Sequence, residues 1–464
     1  MAELIIEILR KASLALILVS VLGYIFPEIL DLGENAFQAR VVLAFFLYCG
    51  LALFSNSRDK LFHLISIPVL TQFLQLFQKY AFTAGANSFW RLFPFMITDV
   101  YLVYFLSGKN PVLSVGEKSL LLSWILANTL FIMISPNLAH IIWGSFILII
   151  ITLPLYFCYL RLAAQAIDFQ VQTEKYLCLI FLILGVGTFG LAVAGTAYKG
   201  SDNLLVTRNI TDTNVTMAYF ILLWPFVLLY NSRSKVPQLI RLAYLAIFSG
   251  IVIISFSRGA IFIIIPYLTV SIIVARDYMH GKWLLVPAIL AFVFSTTISE
   301  FWDNHDLAYF WKLRFGDMVS TDGFSRMQQT SGRAEIHDIA YALFLKNPVT
   351  GHGTGSFEIL GPGYREAHSL FFTLLAEQGL AGFIYLYGTL ILLGSTLLNT
   401  AKKDRKYILL PLSFTFYIIF NHTVGSVFVI IPAKSITINC IAPILLICLY
   451  FYGRALADHL PDKL

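Results

Sequence analysis

The side chains best suited to chemistry surround one long polar interruption, residues 300–366, in an otherwise apolar chain. Arg333 lies within this interruption, and Arg258 stands between two apolar runs upstream of it. A guanidinium group stays charged and donates two parallel hydrogen bonds, so either arginine is suited to bind a diphosphate. His368 opens the apolar segment that follows, where a neutral imidazole can take a proton from a hydroxyl group. These residues predict a site for a phosphorylated, lipid-linked ligand at a membrane boundary.

Each of these side chains also has a simpler interpretation. An arginine at a membrane boundary can extend its charge to lipid headgroups, and a loop histidine is often only solvated. Beside Arg258, however, Gly259 and Ala260 permit close helix packing, which directs the guanidinium toward protein or ligand. Further candidates are a carboxylate near an apolar helix, two arginines of outer connections and a histidine between glycines: Glu377, Arg208, Arg326 and His352.

The composition indicates an integral membrane protein. Hydrophobic residues make up 58% of the 464 positions and charged residues 12%, against roughly 25% charged residues in soluble domains. The mean hydropathy is +0.78. The five cysteines fall inside apolar runs and lack the spacing of a disulfide framework or a zinc site. We therefore expect an all-α polytopic membrane protein with no metal and no cofactor, and no nucleic acid among its partners.

Apolar segments long enough to cross a bilayer recur along the chain. A spanning helix needs about 20 mostly apolar residues, which predicts about 12–14 transmembrane helices, drawn from segments near 10–27, 39–55, 61–78, 92–107, 119–135, 138–160, 176–195, 215–230, 237–255, 259–275, 283–298, 367–399, 407–421 and 435–453. The predicted organisation is a bundle of eleven helices over 1–298, a large polar loop over 299–366 and C-terminal helices over 367–464. Within the loop, apolar residues at helical spacing predict an amphipathic helix over 333–346, lying along the membrane surface and ended by Asn347 and Pro348.

The positions of lysine and arginine predict the orientation. Most of them fall in alternate short connections, which places those connections and both chain termini in the cytoplasm. The long loop then faces outward, to the periplasm of a Gram-negative cell. Arg208, Arg258, Arg326 and Arg333 lie on this outer side against the usual bias, which favours an anionic partner for them. A loop too long to be subject to the bias is the alternative explanation.

The glycine-rich segment 351–355 (Gly-His-Gly-Thr-Gly) has the composition of a phosphate-binding loop but not its context. It follows no predicted strand, so a nucleotide-binding loop is rejected. A flexible turn that shapes the floor of the active site is the preferred interpretation.

Four motifs, taken in order, resemble those of the bacterial O-antigen ligase and O-antigen polymerase superfamily. They are Ser-Arg-Gly-Ala at 257–260, Ser-Gly-Arg at 331–333, Asn-Pro with Gly-His-Gly-Thr-Gly over 347–355, and Ala-His-Ser with Ala-Glu-Gln-Gly-Leu-Ala-Gly over 367–382. The resemblance covers roughly residues 180–400. Ser369 departs from it, because many members carry asparagine after the histidine.

This resemblance implies a GT-C-like helical glycosyltransferase of the bacterial inner membrane, with its active site on the periplasmic side. Its donor would be a glycan linked to undecaprenyl diphosphate, and it would need neither a nucleotide sugar nor a metal. Carried over to this sequence, Arg258 and Arg333 would hold the donor diphosphate and His368 would be the general base. Glu377 also falls on a motif position. Membrane lipids would be its other partners.

Two functions of the superfamily share such a donor site. A ligase transfers the glycan to lipid A–core, whereas a polymerase joins it to a second lipid-linked glycan, and the match around Arg258 and His368 favours the ligase. A ligase acting on proteins and a metal-dependent transferase using Glu28, Asp31 and Glu34 are lesser alternatives.

A lipid-linked oligosaccharide flippase is the alternative from a different class. A transporter would be expected to carry charges within its spans and to have related halves. Because the ionisable residues gather in the outer loops and no repeat is visible, the transferase is preferred.

Overall fold

The structure, a computed structural model, describes residues 2–25, 34–55, 59–74, 92–109, 111–193, 213–254, 258–274, 333–364, 366–423 and 441–459. Regular secondary structure in these ranges is helical throughout, which confirms the predicted all-α class. The helices before the polar loop are α1 (Ala2–Ile25), α2 (Glu34–Phe54), α3 (Lys60–Leu74), α4 (Phe93–Ser107), α5 (Val115–Met133), α6 (Leu138–Ser145), α7 (Leu153–Ala163), α8 (Phe169–Val193), α9 (Thr213–Arg233), α10 (Gln238–Ile254) and α11 (Arg258–Val274). The remaining helices are α12 (Arg333–Lys346), α13 (Phe357–Leu360), α14 (Leu370–Lys403), α15 (Leu409–Thr423) and α16 (Ile441–His459).

Among the described residues, five helical segments are long and apolar enough to cross a bilayer: Val115–Met133, Ile141–Ala163, Phe169–Val186, Leu370–Lys403 and Ile441–Asp458. Shorter apolar helices accompany them, including Phe93–Ser107 and Gln238–Ile253. The predicted span at 283–298 and the first half of the polar loop lie outside the described residues. The total of 12–14 spans and the division at 298 and 366 therefore stay predictions.

The C-terminal helices establish which helix ends lie together. α14 and α16 run in the same direction, because Thr400 Oγ1 donates to Gly453 O at 2.8 Å and Lys403 Nζ donates to Ala457 O at 2.8 Å. α15 returns from this end of α14 after one short 3₁₀ turn, Arg405–Ile408. We call the end that holds the C-terminus of α14 the basic end of the bundle, and the opposite one the distal end.

Helices α9 and α11 both run toward the basic end. Trp224 Nε1 donates to Ser271 Oγ at 3.0 Å, and about one turn earlier on each helix Tyr267 Oη donates to Ile221 O at 3.1 Å. At the C-terminus of α9, Arg233 pairs with the carboxylate of Glu174. The same carboxylate accepts a hydrogen bond from Tyr452, which lies toward the C-terminal end of α16. α11 is therefore antiparallel to α15, which it contacts. The N-terminus of α11 and the C-terminus of α15 both lie at the distal end.

Buried ionisable side chains lie within the helices, so the expectation that such residues gather in the outer loops is wrong. Glu174 of α8 is fully buried, accepts two hydrogen bonds from Arg233 at 2.7 Å each, and accepts a third from Tyr452 at 2.5 Å. Asp99 of α4 accepts a hydrogen bond from Thr152 at 2.9 Å, beside a π-helical turn over Phe146–Thr152. Both oxygens of Glu174 are hydrogen-bonded, as burial in an apolar bundle requires, whereas Asp99 Oδ1 has no hydrogen-bond partner among the described residues.

Candidate active site at the distal end of the bundle

Helix α14 is broken near its N-terminus, and the break shapes the site. Gly379 has φ 59° and ψ −159°, a conformation outside the helical region, so Leu370–Gln378 and the segment after Gly379 are two helices joined at a kink. The sequence predicts a single span over 367–399, which is longer than a bilayer needs. The kink explains the excess length, since it divides a short segment at the distal end from the long helix.

The break in α14 removes backbone hydrogen bonds within the helix, and the loop after α12 replaces them. His352 N donates to Ala376 O at 3.2 Å and Gly353 N to Glu377 O at 2.7 Å, on one side of the kink. On the other side, Leu380 N donates to Pro348 O and Ala381 N to Val349 O, both at 2.9 Å. Buried backbone groups must be paired, so the loop and the kink require each other. The predicted flexible turn is instead a closely bonded support for α14.

The glycines of this loop are required by backbone contact. Gly351 and Gly353 have φ of 63° and 92°. A Cβ at Gly351 would lie 2.4 Å from Gln378 N, and a Cβ at Gly353 would lie 2.5 Å from Ser135 Cα. His352 Nε2 pairs with Leu343 O at 2.9 Å, at the C-terminal end of α12. The motif therefore has a structural explanation in this loop, while a substrate contact by His352 stays a prediction.

We expect Gly379→Ala to destabilise the protein by about 3 kcal/mol or more, because this region of φ and ψ is nearly restricted to glycine. The added Cβ would also lie 2.6 Å from the backbone nitrogen of Gly351. Gly388→Ala is the matched control, since it lies on the same helix and a Cβ there meets no atom within 4 Å. Thermal unfolding of the purified variants in detergent measures the difference; equal melting temperatures would contradict a required kink.

Glu377 lies directly before the kink and is only 2% exposed. Its carboxylate accepts hydrogen bonds from the backbone N–H groups of Phe357, at 3.4 Å, and Gly355. The sequence interpretation gives this carboxylate a basic partner, whereas the partners in the described residues are main-chain amides. Glu377 thus fastens the glycine-rich loop to α14, and an accessory role in substrate binding stays a prediction.

Helix α12 spans Arg333–Lys346 in the described residues, and it ends at Lys346 as the apolar spacing predicts. Its buried stripe packs on α14 and the adjoining loop and consists of Ile336, Ala340 and Leu343. His337 stacks on Phe372 with ring centroids 4.3 Å apart, and it hydrogen-bonds to the backbone of Ala367. Burial lowers the pKa of His337 below its ordinary value. These contacts join α12 to the residue that directly precedes His368.

His368 lies between a loop and the N-terminus of α14. Its φ is 52°, a left-handed conformation that is uncommon in residues other than glycine, although asparagine, aspartate and histidine adopt it more often than the rest. Its side chain is about one-third exposed, and its Nδ1 lies 3.9 Å from Glu366 Oε1. The Tyr364 ring centroid is 6.1 Å away. The Ala367 N–H donates to Thr373 Oγ1 at 3.0 Å, which ties the loop to the first turn of α14.

Arg333 reaches the distal end of α15. Its Nη1 donates to Thr423 O at 2.7 Å, where the carbonyls at the end of a helix favour a cation. The neighbouring His422 pairs through Nε2 with Tyr387 Oη at 2.6 Å, and its ring centroid lies 6.5 Å from that of Phe371. Phe371 is three residues from His368. The C-terminal end of α15 therefore contacts both Arg333 and the helix turn that follows His368.

The backbone of Arg258 lies at the same end of the bundle. Tyr267 of α11 packs on Phe416 of α15 with centroids 5.2 Å apart. Arg258 is nine residues before Tyr267 and Thr423 is seven residues after Phe416, which is about 13 Å and about 11 Å along antiparallel helices. The first residue of α11 is therefore nearly level with the carbonyl that Arg333 binds.

Some predicted site residues lie beyond what the structure describes. Arg208 and Arg326 are outside the described residues, as is the side chain of Arg258. Within the described ranges, no group of three or more His, Cys, Asp and Glu side chains is arranged to hold a metal ion. The acidic residues Glu28 and Asp31, proposed for a metal-dependent alternative, also lie outside.

The structure adds four residues that the sequence interpretation did not single out at this site: Glu366, His337, Tyr387 and His422. Glu366 could have been proposed because it lies two residues from His368. His337 lies one residue from the apolar stripe of α12, a position that the sequence pattern alone assigns to the surface. The pairing of Tyr387 with His422 joins two helices and has no signal in local spacing.

Comparison with known families gives one match. The family model described as O-antigen ligase matches residues 243–387, a region that includes Arg258, Arg333, His368 and Glu377. A search of curated proteins finds no match. The matched region includes α11, α12, the glycine-rich loop and the kinked part of α14, which contribute residues to the distal end described above. The match covers less than half of the 464 residues, and it supports a relationship of residues 243–387 to the O-antigen ligase and polymerase superfamily.

Proposed function

We propose that the protein is an O-antigen ligase, which transfers a glycan from undecaprenyl diphosphate to a sugar hydroxyl of lipid A–core at the periplasmic face of the bacterial inner membrane. The observation that carries the proposal is the placement of Arg333, His368 and the start of α11 at one end of the helical bundle, inside the region matched by the O-antigen ligase model. This end is opposite the lysines at 402 and 403, which are predicted to be cytoplasmic.

In this proposal, Arg333 and Arg258 bind the diphosphate of the donor. The contact of Arg333 with Thr423 O uses one of the five N–H donors of a guanidinium and orients the planar group. The donors neutralise charge that grows on the leaving diphosphate as the bond to the sugar breaks. The positive end of the α14 dipole, at Leu370, adds to the same field. Activity in the presence of EDTA is expected, because the arginines take the place of a metal.

His368 is the proposed general base. Its imidazole takes the proton of the acceptor hydroxyl as that oxygen attacks C1 of the donor sugar. The bond from C1 to the diphosphate oxygen breaks, and its electron pair leaves with the diphosphate. Attack from the face opposite the leaving group inverts the configuration at C1.

Glu366 is proposed to position His368, because its carboxylate faces Nδ1 at 3.9 Å and leaves Nε2 for the acceptor. We expect Glu366→Gln to lower the transfer rate by about tenfold to a hundredfold, since an amide stabilises the imidazolium less than a carboxylate does. The KM for the donor should not change, and Glu366→Asp should recover part of the rate. Glu335→Gln on α12 is the control for loss of an acidic side chain. A raised donor KM with an unchanged rate would assign Glu366 to binding instead.

The lipopolysaccharide of a complemented ligase-deficient strain tests the choice between ligase and polymerase. For a ligase, the wild-type gene restores the long-chain ladder on lipid A–core, whereas a strain with an inactive variant accumulates glycan on undecaprenyl diphosphate. A core that carries a single repeat in the variant strain would instead identify a polymerase, because the polymer would never have been made.

A flippase is the second candidate, and the buried Asp99 within α4 is the observation that favours it, since ionisable residues inside spans mark transport pathways. A flippase would move the lipid-linked glycan between leaflets without breaking its glycosyl phosphate bond. Recovery of intact undecaprenyl-diphosphate-linked glycan after incubation with acceptor would support transport and contradict the transferase.

A further inference from the structure

An exposed aromatic side chain lies beside the proposed base. Tyr364 is 51% exposed, and its ring centroid lies 6.1 Å from that of the His368 imidazole, with the two ring planes at 57°. Among the described residues, Tyr364 makes no other ring contact and its hydroxyl group makes no hydrogen bond. The packing of the protein therefore leaves the ring and the hydroxyl group of Tyr364 available to a ligand.

The segment that carries Tyr364 is held at both ends. Before it, Phe357 of α13 is fully buried, and Gly361 N donates to Phe357 O at 2.9 Å. After it, Ala367 is fully buried, and its N–H donates to Thr373 Oγ1 at 3.0 Å. These contacts hold both ends of a short segment close to the base, so the exposure of Tyr364 is not that of a long free loop.

The two sides of His368 carry different groups. Phe371 lies on the side of α14, with its centroid 6.5 Å from that of His422, at the end of α15 that Arg333 binds. That side holds the charge proposed for the donor diphosphate. Tyr364 comes from the loop before the base. A general base must reach the acceptor hydroxyl within hydrogen-bond distance, so the sugar that carries this hydroxyl lies against the ring beside the base.

We propose that the ring of Tyr364 stacks on the acceptor sugar, an inference that rests on the proposed transfer reaction. The face of an aromatic ring is negative, and the C–H groups on one face of a pyranose are weakly positive, so the two surfaces attract each other. The Tyr364 hydroxyl group can donate to a sugar oxygen at the edge of the stack. The ligand class is a pyranose with one face free of axial hydroxyl groups.

Transfer rates of the purified protein in nanodiscs, with lipid A–core varied at saturating donor and then the reverse, test this role. We expect Tyr364→Leu to raise the KM for lipid A–core about tenfold, a loss typical of an aromatic contact in a binding site. The KM for the donor should not change. The stack forms equally before and during transfer, so kcat should change little. Tyr364→Phe keeps the ring, so its acceptor KM should stay within about twofold of the wild type.

Leucine separates stacking from simple apolar contact, because it is apolar but has no planar face. Tyr341→Leu is the matched control, since Tyr341 is 49% exposed and its ring lies near Phe344 on α12 instead of the base. We expect it to leave both KM values unchanged. A similar rise in acceptor KM in Tyr341→Leu would assign the effect to contact with the membrane interface, where tyrosine is common, and would overturn the stacking.

Two further results separate a failure of the stacking from a failure of the transfer reaction. If the wild type transfers glycan and Tyr364→Leu keeps the wild-type acceptor KM, the stacking alone is overturned. Equal increases in Tyr364→Leu and Tyr364→Phe would overturn it as well, because the ring would then contribute nothing. The absence of any product with the wild type would overturn the transfer and the stacking together.

Discussion

Replacing His368 with asparagine is expected to lower the rate of glycan transfer by about 10²–10⁴-fold, the contribution of a general base. Asparagine cannot take a proton from the acceptor hydroxyl. It does tolerate the left-handed φ of 52° at this position, so the loop before α14 should keep its conformation. Binding of the lipid-linked donor should change little, because the arginines that hold the diphosphate are untouched. Single-turnover transfer and donor binding, measured on the same preparation, separate the two effects.

His352→Asn is the matched control for His368→Asn. His352 is in the same region, but its ring pairs with Leu343 O, so its loss should reduce stability more than the rate per folded molecule. If His368→Asn transfers glycan at the wild-type rate, His368 is not the base. If both variants lose activity only in proportion to folded protein, the histidine motif has a structural role.

Replacing Arg333 with glutamine is expected to lower kcat/KM for the donor by about 10–100-fold, the equivalent of one hydrogen-bonded charge contact of about 1.5–3 kcal/mol. The loss should be mainly in KM if the diphosphate is bound equally before and during transfer. Arg333→Lys should recover only part of it, because an ammonium group lacks the planar pair of donors. Transfer rates at several donor concentrations give kcat and KM separately.

Lys346→Gln is the control for Arg333→Gln, because it removes a positive charge from the opposite end of the same helix. We expect it to leave kcat/KM nearly unchanged. Similar losses in both variants would mean that α12 contributes only a diffuse positive field. An unchanged kcat/KM in Arg333→Gln would exclude Arg333 from the donor site and assign it a structural role, such as its contact with Thr423 O.

Much of the fold follows from hydrophobic patterning that is visible in the sequence. The apolar spacing of 333–346 predicts α12 and its C-terminal end, because Asn347 and Pro348 end the helix. The long apolar runs predict α5, α8 and α16 in the same way. His368 is a candidate from its local context, whereas the choice of Arg333 among the loop arginines rests on the family resemblance.

The break in α14 could not be predicted by these means. Gly379 lies inside a predicted span, directly after Glu377 and Gln378, and a glycine inside a helix is often tolerated. Its conformation depends on hydrogen bonds from residues 348–353, about 30 positions earlier. The hydrogen bonds of the buried Glu174 could not be predicted either, because Glu174 and its partners belong to three different helices. The local spacing of residues does not predict such long-range contacts.

Reconstitution of the purified protein with an undecaprenyl-diphosphate-linked glycan and lipid A–core tests the central claim most directly. The wild type should release undecaprenyl diphosphate and form the glycosylated core with inverted configuration at C1, in the presence of EDTA. The His368→Asn variant should bind the same donor and form product at least about 10²-fold more slowly. Product formation by His368→Asn at the wild-type rate, or intact donor after incubation with the wild type, would contradict a ligase with its base at His368.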